Sequence, residues 1–291
     1  MELPYWREIP VVLVEMLTCD FMQRALVVGL LGGIVCSLVG VLVTSLRLSF
    51  IGPVISHAAF AGGIISMFLG YNPLIGALIF SLVAAGLTGP LIDRGEINPD
   101  TSLGILFAVT IGFAFLFMGL MPYAERTEAY SLIWGSILTV TNNDLQFLMM
   151  ISLFVVGIIA LFYKEIQAII FNREIALAVG LPAYWIFYGI LFLTGLTVTA
   201  TLQPIGGLLV FSLIITPAAM SYHLTDNLKH LFIISVVFGV FSCWVGLFLS
   251  YLFNLPSGAT IVTLSAVIFL MVSVFSSNKV KDLKIVKGDY K

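Results

Sequence analysis

The sequence predicts an all-α fold: a polytopic bundle of about nine transmembrane helices that forms one domain over residues 1–291. Hydrophobic residues make up 60% of the chain and charged residues only 10%, whereas a soluble surface carries about 25–35% charged side chains. The apolar runs repeatedly reach the roughly 20 residues that cross a bilayer as a helix. They lack the alternating pattern of a membrane β-strand.

The first 20 residues precede the first long apolar run. Glu2, Glu8 and Glu15 are unlike the basic start of a secretory signal. The apolar stretch at residues 10–17 is too short to cross a membrane, and Trp6 suits the headgroup region. We therefore predict an interfacial amino-terminal helix over residues 1–20.

Nine later segments have the length and composition of membrane spans, and turn residues separate them. The predicted spans are residues 21–44, 52–69, 74–92, 102–121, 145–163, 184–202, 205–222, 231–253 and 259–275. Gly29 and Gly33 in the first span have the spacing that lets helices approach closely. Pro53 lies at the start of the second, where a helix tolerates proline. Gln203 and Pro204 are predicted to separate the sixth span from the seventh.

Three segments do not fit a membrane span. Residues 122–144 are polar except for a short apolar piece at 132–140, which we predict to be re-entrant or interfacial. Residues 164–182, the connector, have apolar positions near helical spacing and are predicted to form an amphipathic surface helix. Residues 276–291 form a basic tail.

The distribution of basic residues predicts the orientation. With nine spans the termini lie on opposite sides, and ten of the 13 Lys and Arg residues fall in one set of loops. Cytoplasmic loops carry the excess of Lys and Arg. The sequence therefore predicts a cytoplasmic carboxyl terminus and an outer amino terminus.

His57 is the one strongly ionisable side chain placed well within a predicted span, in the stretch LSFIGPVISHAAFAGG. An ionisable group in hydrocarbon costs a few kcal/mol, so it is a functional candidate by default. It fits a metal ligand, a proton carrier or an interhelical hydrogen-bonding residue. His223 and His230 flank a polar loop, where a solvated histidine is ordinary.

The chain lacks the motifs of an energy-converting or hydrolytic enzyme. It contains no P-loop, no HExxH, no GxSxG and no paired carboxylates within a predicted span. Its three cysteines lack CxxC spacing, which argues against a disulfide framework or a zinc knuckle. If the chain moves a solute uphill, the energy comes from another subunit or an ion gradient, and the lack of intramembrane carboxylates weakens the second option.

Several motifs, in the expected order, resemble the membrane permease subunits of ATP-binding-cassette importers for zinc, manganese and iron. LQPIGGLLVFSLIITPAAMSYHLTDNL at residues 202–228 and NLPSGATIV at residues 254–262 are the most specific. FNREIALAVGLP at residues 171–182 is similar to the cytoplasmic coupling helix, and FMQRAL at residues 21–26 to the entry into the first span. The similarity extends over residues 19–275.

The resemblance implies a non-enzymatic subunit in a prokaryotic cytoplasmic membrane. Expected partners are membrane lipid, a second permease protomer, most simply an identical one, two cytoplasmic ATPase subunits and an extracytoplasmic metal-binding protein, with no nucleic acid. No cofactor is permanently bound, and a divalent ion of zinc, manganese or iron is the transported substrate. The alternatives are a metal chelate or another small solute as substrate, or an ATPase-independent channel or facilitator.

The resemblance also assigns the coupling positions. They are Phe171, Asn172, Glu174, Ala176, Ala178, Gly180 and Leu181. Asn172 stands where the family usually has Asp. The orientation predicted from charge places this segment on the ATPase side.

On the translocation route, His57 and Ser56 match the family's Gly-Asp-x-x-Ser-His motif, but Pro53 stands where the family commonly has Asp. Asp and His four residues apart share a helical face and suit Mn²⁺ or Zn²⁺, whereas a proline side chain cannot bind a metal. Three readings stay open. The ion is held by His57 with other groups, the site is only a passage, or the substrate is a chelate or apolar solute that needs no carboxylate.

Overall fold

The computed structural model describes residues 18–48, 50–93, 99–123, 126, 129, 130, 132 and 140–286. The predicted interfacial helix over residues 1–20 and the predicted re-entrant piece at residues 132–140 therefore lie almost entirely outside the described residues. The end of the basic tail, residues 287–291, also lies outside them.

The described residues form helices and no strands. In chain order the helices are α1 Asp20–Ser45, α2 Ile51–Phe68, α3 Pro73–Asp93, α4 Pro99–Leu120, α5 Asn142–Leu161, α6 Tyr163–Phe171, α7 Arg173–Ala178, α8 Ala183–Ile205, α9 Gly207–Leu224, α10 Leu228–Phe253 and α11 Ser257–Val286. All except α6 and α7 are long and apolar enough to cross a membrane. The predicted all-α membrane bundle with nine spans is confirmed for this part of the chain.

Helix α1 lies at the centre of the bundle and contacts α5, α8, α9 and α10. Glycines make these contacts possible, because a side chain at either of two positions would meet backbone. A Cβ on Gly33 would lie 3.0 Å from the backbone nitrogen of Val240, and a Cβ on Gly40 would overlap the carbonyl oxygen of Ile214. The close approach predicted from Gly33 is therefore confirmed.

Helix α2 packs against α3 and α4 beside this centre. The packing of α4 differs from that of α2, since 78% of the apolar window of α2 is buried within the chain but only 17% of that of α4. Helix α4 is therefore a peripheral helix whose main neighbour is α2.

Helices α8 and α9 are separated by a single residue, Gly206, with φ 93° and ψ 145°. This left-handed backbone conformation favours glycine. The break thus comes two residues after the predicted one, and Pro204 lies inside α8 near its end. Proline fixes φ near the helical value, so it does not by itself end the helix at that point.

Helix α9 then runs alongside α1 to one end of the bundle. The hydroxyl groups of Ser45, the last residue of α1, and Tyr222, in the last turn of α9, share a hydrogen bond. Both helices therefore end on the same side. Helix α11 continues beyond the predicted span, through residue 276 and into the basic tail as far as Val286.

Candidate functional site: an imidazole beside an apolar cavity

His57 lies in the second turn of α2, and a hydrogen bond to the backbone of the same helix orients its ring. The Nδ1 atom donates a hydrogen bond to the carbonyl oxygen of Pro53, 2.9 Å away. A carbonyl can only accept, so the neutral ring carries its lone pair on Nε2. Metal-binding histidines commonly have their other ring nitrogen bonded to a backbone carbonyl in this way.

Pro53 is compatible with the helix because it lies in the first turn. Backbone N–H groups there have no partner within the helix, so the missing N–H of proline costs little. The side chain of Pro53 is buried and offers no donor atom to an ion. Its contribution to the site is the carbonyl group that orients His57.

A second contact fixes the imidazole from α4. The ring centroid of Phe107 lies 4.6 Å from that of His57 at an interplanar angle of 65°, an edge-to-face arrangement. Phe107 also meets Phe50, which precedes α2, at 5.5 Å and 63°. No sequence signal indicates this contact, because Phe107 is one of many phenylalanines and lies 50 residues beyond His57 in the chain.

His57 and Ser56 line a cavity of about 120 Å³ between α2, α4 and the start of α9. The complete lining is Ser56, His57, Phe60, Ile111, Phe115, Gly207 and Leu208. Ser56 is 1% exposed, and within the described part of the chain its hydroxyl oxygen has no hydrogen-bond partner. Since buried polar groups are normally paired, this hydroxyl is a group that a ligand can satisfy.

The cavity offers donors for a cation but no charge. Over the residues that the structure describes, its lining contains one imidazole and one hydroxyl, and no Asp, Glu, Lys or Arg. Among the described residues no group of three or more His, Cys, Asp and Glu side chains is arranged to hold a metal. One chain can therefore offer a cation a transient contact, but not the closed four-ligand cage of a structural metal site.

A larger and more open depression of about 650 Å³ lies elsewhere, where α1 and α5 begin. Asp20 and Arg24 are among its lining residues and carry opposite charges. We place the candidate site at His57 instead, because a partly buried imidazole and a buried, unpaired hydroxyl line the same cavity there.

The connector is the second candidate region, and it forms two short helices rather than one. Asn172 interrupts them with an extended backbone, and its side-chain oxygen accepts hydrogen bonds from the backbone nitrogens of Glu174 and Ile175 at 2.9 and 3.0 Å. This is an N-cap of α7, and Asn is among the residues most favoured there. The predicted single surface helix is therefore wrong in this detail.

Residues 171–181, the coupling segment, end in an equally defined turn. Gly180 has φ 84°, its nitrogen donates to the carbonyl of Leu177, and the nitrogen of Leu181 donates to that of Ala176. This pair of bonds is the Schellman motif, which favours glycine at the left-handed position.

The buried side of the coupling segment contacts α1 and α8. Ala176 is 1% exposed and clusters with Ile169 and Ala183, with Leu46 at the end of α1 packed against them. The guanidinium of Arg173 stacks 4.6 Å from the ring centroid of Tyr184, so this predicted polar residue turns inward.

The outer side of the coupling segment is apolar. Phe171 is 85% exposed, Val179 70% and Ile175 55%, and Glu174 and Ala178 are exposed beside them. A row of exposed apolar residues on a short capped helix is typical of a docking surface. Of the predicted coupling residues, all except the buried Ala176 and the partly buried Leu181 are accessible.

The chain is similar to known membrane transport proteins. The profile of the ABC 3 transport family matches residues 18–276. The manganese transport system membrane protein MntC of Listeria monocytogenes is 34% identical over 258 residues, covering 88% of this chain and 91% of that protein. The manganese import system permease protein ScaB of Streptococcus gordonii is 31% identical and covers 91% and 94%. The solved structure of PsaBC from Streptococcus pneumoniae in complex with Fab aligns with a TM-score of 0.80 and 29% identity, covering 91% of this chain and 95% of that one.

Proposed function

This chain belongs to the ABC 3 transport family, and on that premise we propose that it is the permease subunit of an importer for a divalent transition metal ion. Because these relatives are manganese transport proteins, manganese is the first ion to test. Zinc and iron are the other proposed substrates. The metal is the cargo of the protein, not a resident cofactor.

The observation that carries the proposal is the oriented imidazole beside an unpaired hydroxyl. His57 directs Nδ1 to the Pro53 carbonyl, which leaves Nε2 as the metal-binding atom. Ser56 supplies a buried hydroxyl next to it in the same cavity. Imidazole is a ligand for zinc, iron and other divalent transition metals. His57, Ser56 and the Pro53 carbonyl are thus proposed as the translocation residues.

A site with so few ligand atoms favours passage of the ion over tight binding. One nitrogen and one hydroxyl replace only part of the hydration shell of an ion, so the ion can leave again. We place the high-affinity binding in an external metal-binding protein that delivers the ion. A second, identical protomer would cover the exposed side chains of Phe115 and Leu208 and add a second imidazole.

The energy for transport is proposed to come from two ATPase subunits that dock on the coupling segment. The exposed apolar side chains of the coupling segment support this proposal. They are Phe171, Ile175 and Val179. The segment packs against Leu46 at the end of α1, so a force on it reaches the helix bundle. Alternating access would then follow from movement of packed helices around the cavity.

The test is His57→Ala in the transporter assembled with its ATPase subunits in proteoliposomes. We expect Mn²⁺ uptake and Mn²⁺-stimulated ATP hydrolysis to be lost. His230→Ala is the matched control, because His230 is an exposed histidine in the first turn of α10, outside the cavity, and should behave like the wild type. Unchanged uptake in His57→Ala would overturn the proposed role of His57. Equal uptake by the permease alone, without ATPase subunits, would show a channel instead.

The lining of the cavity favours one second candidate, a chelated metal. Phe60, Ile111, Phe115 and Leu208 give it mainly apolar walls. An apolar chelate needs no carboxylate for binding. Uptake of a labelled chelate with no uptake of free Mn²⁺, Zn²⁺ or Fe²⁺ would favour this candidate.

A further inference from the structure

Phe107 contacts two residues that are otherwise separate, Phe50 and His57. Both contacts are edge-to-face, at 5.5 and 4.6 Å between ring centroids. Phe107 is partly buried on the side of α4 that faces α2, whereas Phe113 on the same helix is 49% exposed. Phe107 is therefore engaged within the chain, as are the buried Leu103 and Met118 of the same helix.

Phe50 belongs to the short connection between α1 and α2. This connection starts at Leu46, which packs against the cluster of the coupling segment, and continues through Arg47. Arg47 has φ 58°, an uncommon left-handed conformation for a residue other than glycine. Its nitrogen donates to Thr44 and that of Leu48 to Val43, so the turn is closed by hydrogen bonds.

Contacts at both ends of this connection thus link the coupling segment to the imidazole. Leu46 packs against the cluster of Ile169, Ala176 and Ala183. Phe50, four residues later in the chain, contacts Phe107, which contacts His57. Contiguity alone does not demonstrate energetic coupling, but it identifies which residues to perturb.

We propose that Phe107 is a positioning residue that holds the His57 ring for metal binding and makes its orientation depend on the connection between α1 and α2. The inference rests on the proposed function as a metal permease. The hydrogen bond to Pro53 fixes the position of Nδ1. Phe107 packs against the imidazole with an interplanar angle of 65°, and this second contact limits the tilt of the ring, so that Nε2 presents its lone pair in one direction.

The proposal predicts a change in substrate affinity rather than in assembly. Edge-to-face aromatic pairs contribute an amount that corresponds to about a two- to tenfold change in an equilibrium constant. Phe107→Leu should therefore raise the KM for Mn²⁺ uptake by about that factor. Phe107→Tyr keeps the ring edge and should restore the wild-type KM.

The experiment compares the wild type, Phe107→Leu, Phe107→Tyr and Phe113→Leu in proteoliposomes with the ATPase subunits, using Mn²⁺ and then Zn²⁺ as the transported ion. Phe113→Leu is the matched control, because it removes the same ring from an exposed position on the same helix. An equal KM for Phe107→Leu and Phe113→Leu would overturn the proposal, as would a raised KM in Phe107→Tyr. If the wild type transports neither Mn²⁺ nor Zn²⁺, the proposed function as a metal permease is wrong, whatever the effect of the Phe107 variants.

A second variant keeps the test decisive if Phe107→Leu does not assemble. Phe50→Leu removes the other aromatic contact of Phe107 from a residue that is 38% exposed, so its effect on folding should be small. We expect fewer ions transported per ATP hydrolysed in Phe50→Leu. A wild-type transport ratio in Phe50→Leu would contradict the dependence of His57 on this connection.

Discussion

The ring nitrogen Nδ1 of His57 lies 2.9 Å from the carbonyl oxygen of Pro53, four residues earlier on the same face of α2. The bond uses the backbone of residue 53 and not its side chain. Any residue placed there that keeps the helix can therefore keep the orientation of His57. Position 53 can therefore orient the imidazole through its backbone carbonyl and supply a ligand through its side chain. A substitution can change the second function without changing the first.

The first prediction follows from that separation. Pro53→Asp should add a carboxylate on the face of His57 and shift selectivity toward Mn²⁺, which prefers oxygen ligands, relative to Zn²⁺. A carboxylate stabilises both ions, so only the difference between its contributions to Mn²⁺ and Zn²⁺ changes selectivity. A difference of about 1.4 kcal/mol would raise the ratio of Mn²⁺ to Zn²⁺ uptake about tenfold. Competition between the two ions in proteoliposomes measures this ratio.

Pro53→Asn is the control for that measurement, since it has the shape of Asp without the charge. It should keep the wild-type ratio. A rise in the ratio for Asn as large as for Asp would mean that loss of the proline ring, and not the carboxylate, changes selectivity.

A second prediction concerns the exposed row of the coupling segment. Phe171→Asp places a charge on a side chain that is 85% exposed, so the fold of the permease should survive. Docking of the ATPase should weaken, because an apolar contact is lost and a charge is desolvated. We expect uptake to fall by tenfold or more, about 1.4 kcal/mol of coupling, and co-purification of the ATPase subunits to decrease.

Glu174→Arg should uncouple in the same direction, and Lys229→Glu, at an exposed position in the first turn of α10, is the charge-reversal control. Normal uptake in both segment variants would exclude the coupling segment as the docking surface. Gly180→Arg is a poor choice for this purpose, because φ 84° makes any side chain at that position strained.

That strain gives a third prediction. Gly180→Ala should destabilise the protein by about 1 kcal/mol, because an L-residue in the left-handed region costs roughly that much. The space around a Cβ at Gly180 is open, so the cost is conformational and not steric. In a thermal unfolding assay of the purified protein in detergent, the midpoint should fall by about 2–4 °C.

Gly189→Ala is the matched control, in the interior of α8 with equally open space around its Cβ. There the same substitution should be neutral or slightly stabilising, because alanine favours a helix over glycine. A midpoint that falls equally in both variants would contradict a conformational cause at Gly180.

The fourth prediction tests the contact between α1 and α9. Gly40→Val should disrupt it, because even a Cβ would overlap the carbonyl oxygen of Ile214 and backbone cannot move aside as a side chain can. Overpacking typically costs about 1–3 kcal/mol and more against backbone, so the yield of monodisperse protein in size-exclusion chromatography should fall severely.

Gly86→Val in α3 is its control, since nothing lies within 4 Å of a Cβ at that position. This variant should elute as the wild type does. Equal elution of Gly40→Val would show that α1 and α9 are not in close contact in the folded protein.

The membrane helices could be predicted from sequence because length and hydrophobicity decide them. The second span was expected at residues 52–69, and α2 is Ile51–Phe68. The sequence predictions were wrong where the backbone conformation of one residue determines where a helix ends. Pro204 looked like the end of a helix, yet the chain breaks at Gly206, whose φ of 93° no periodicity reveals. Likewise, the cap formed by Asn172 outweighed the amphipathic pattern that suggested one continuous helix.

The candidate site was predictable only in part, for a related reason. His57 stands out by its charge in an apolar span, and its bond to Pro53 is local. Phe107 contacts it through packing of α2 on α4, which depends on the whole bundle. The cavity likewise depends on where α9 begins, at Gly207.

The break at Gly206 allows α9 to rotate about its first residues. Gly207 and Leu208, at the start of α9, line the cavity. At the other end of the helix, Tyr222 lies beside Ser45. A helix of 18 residues is about 27 Å long, so a rotation of about 10° at Gly206 would carry the far end through about 5 Å. Leu208 would move by less than about 1 Å in the same rotation. The chain can therefore open wide at the end where α1 and α9 terminate while the surroundings of His57 stay almost unchanged.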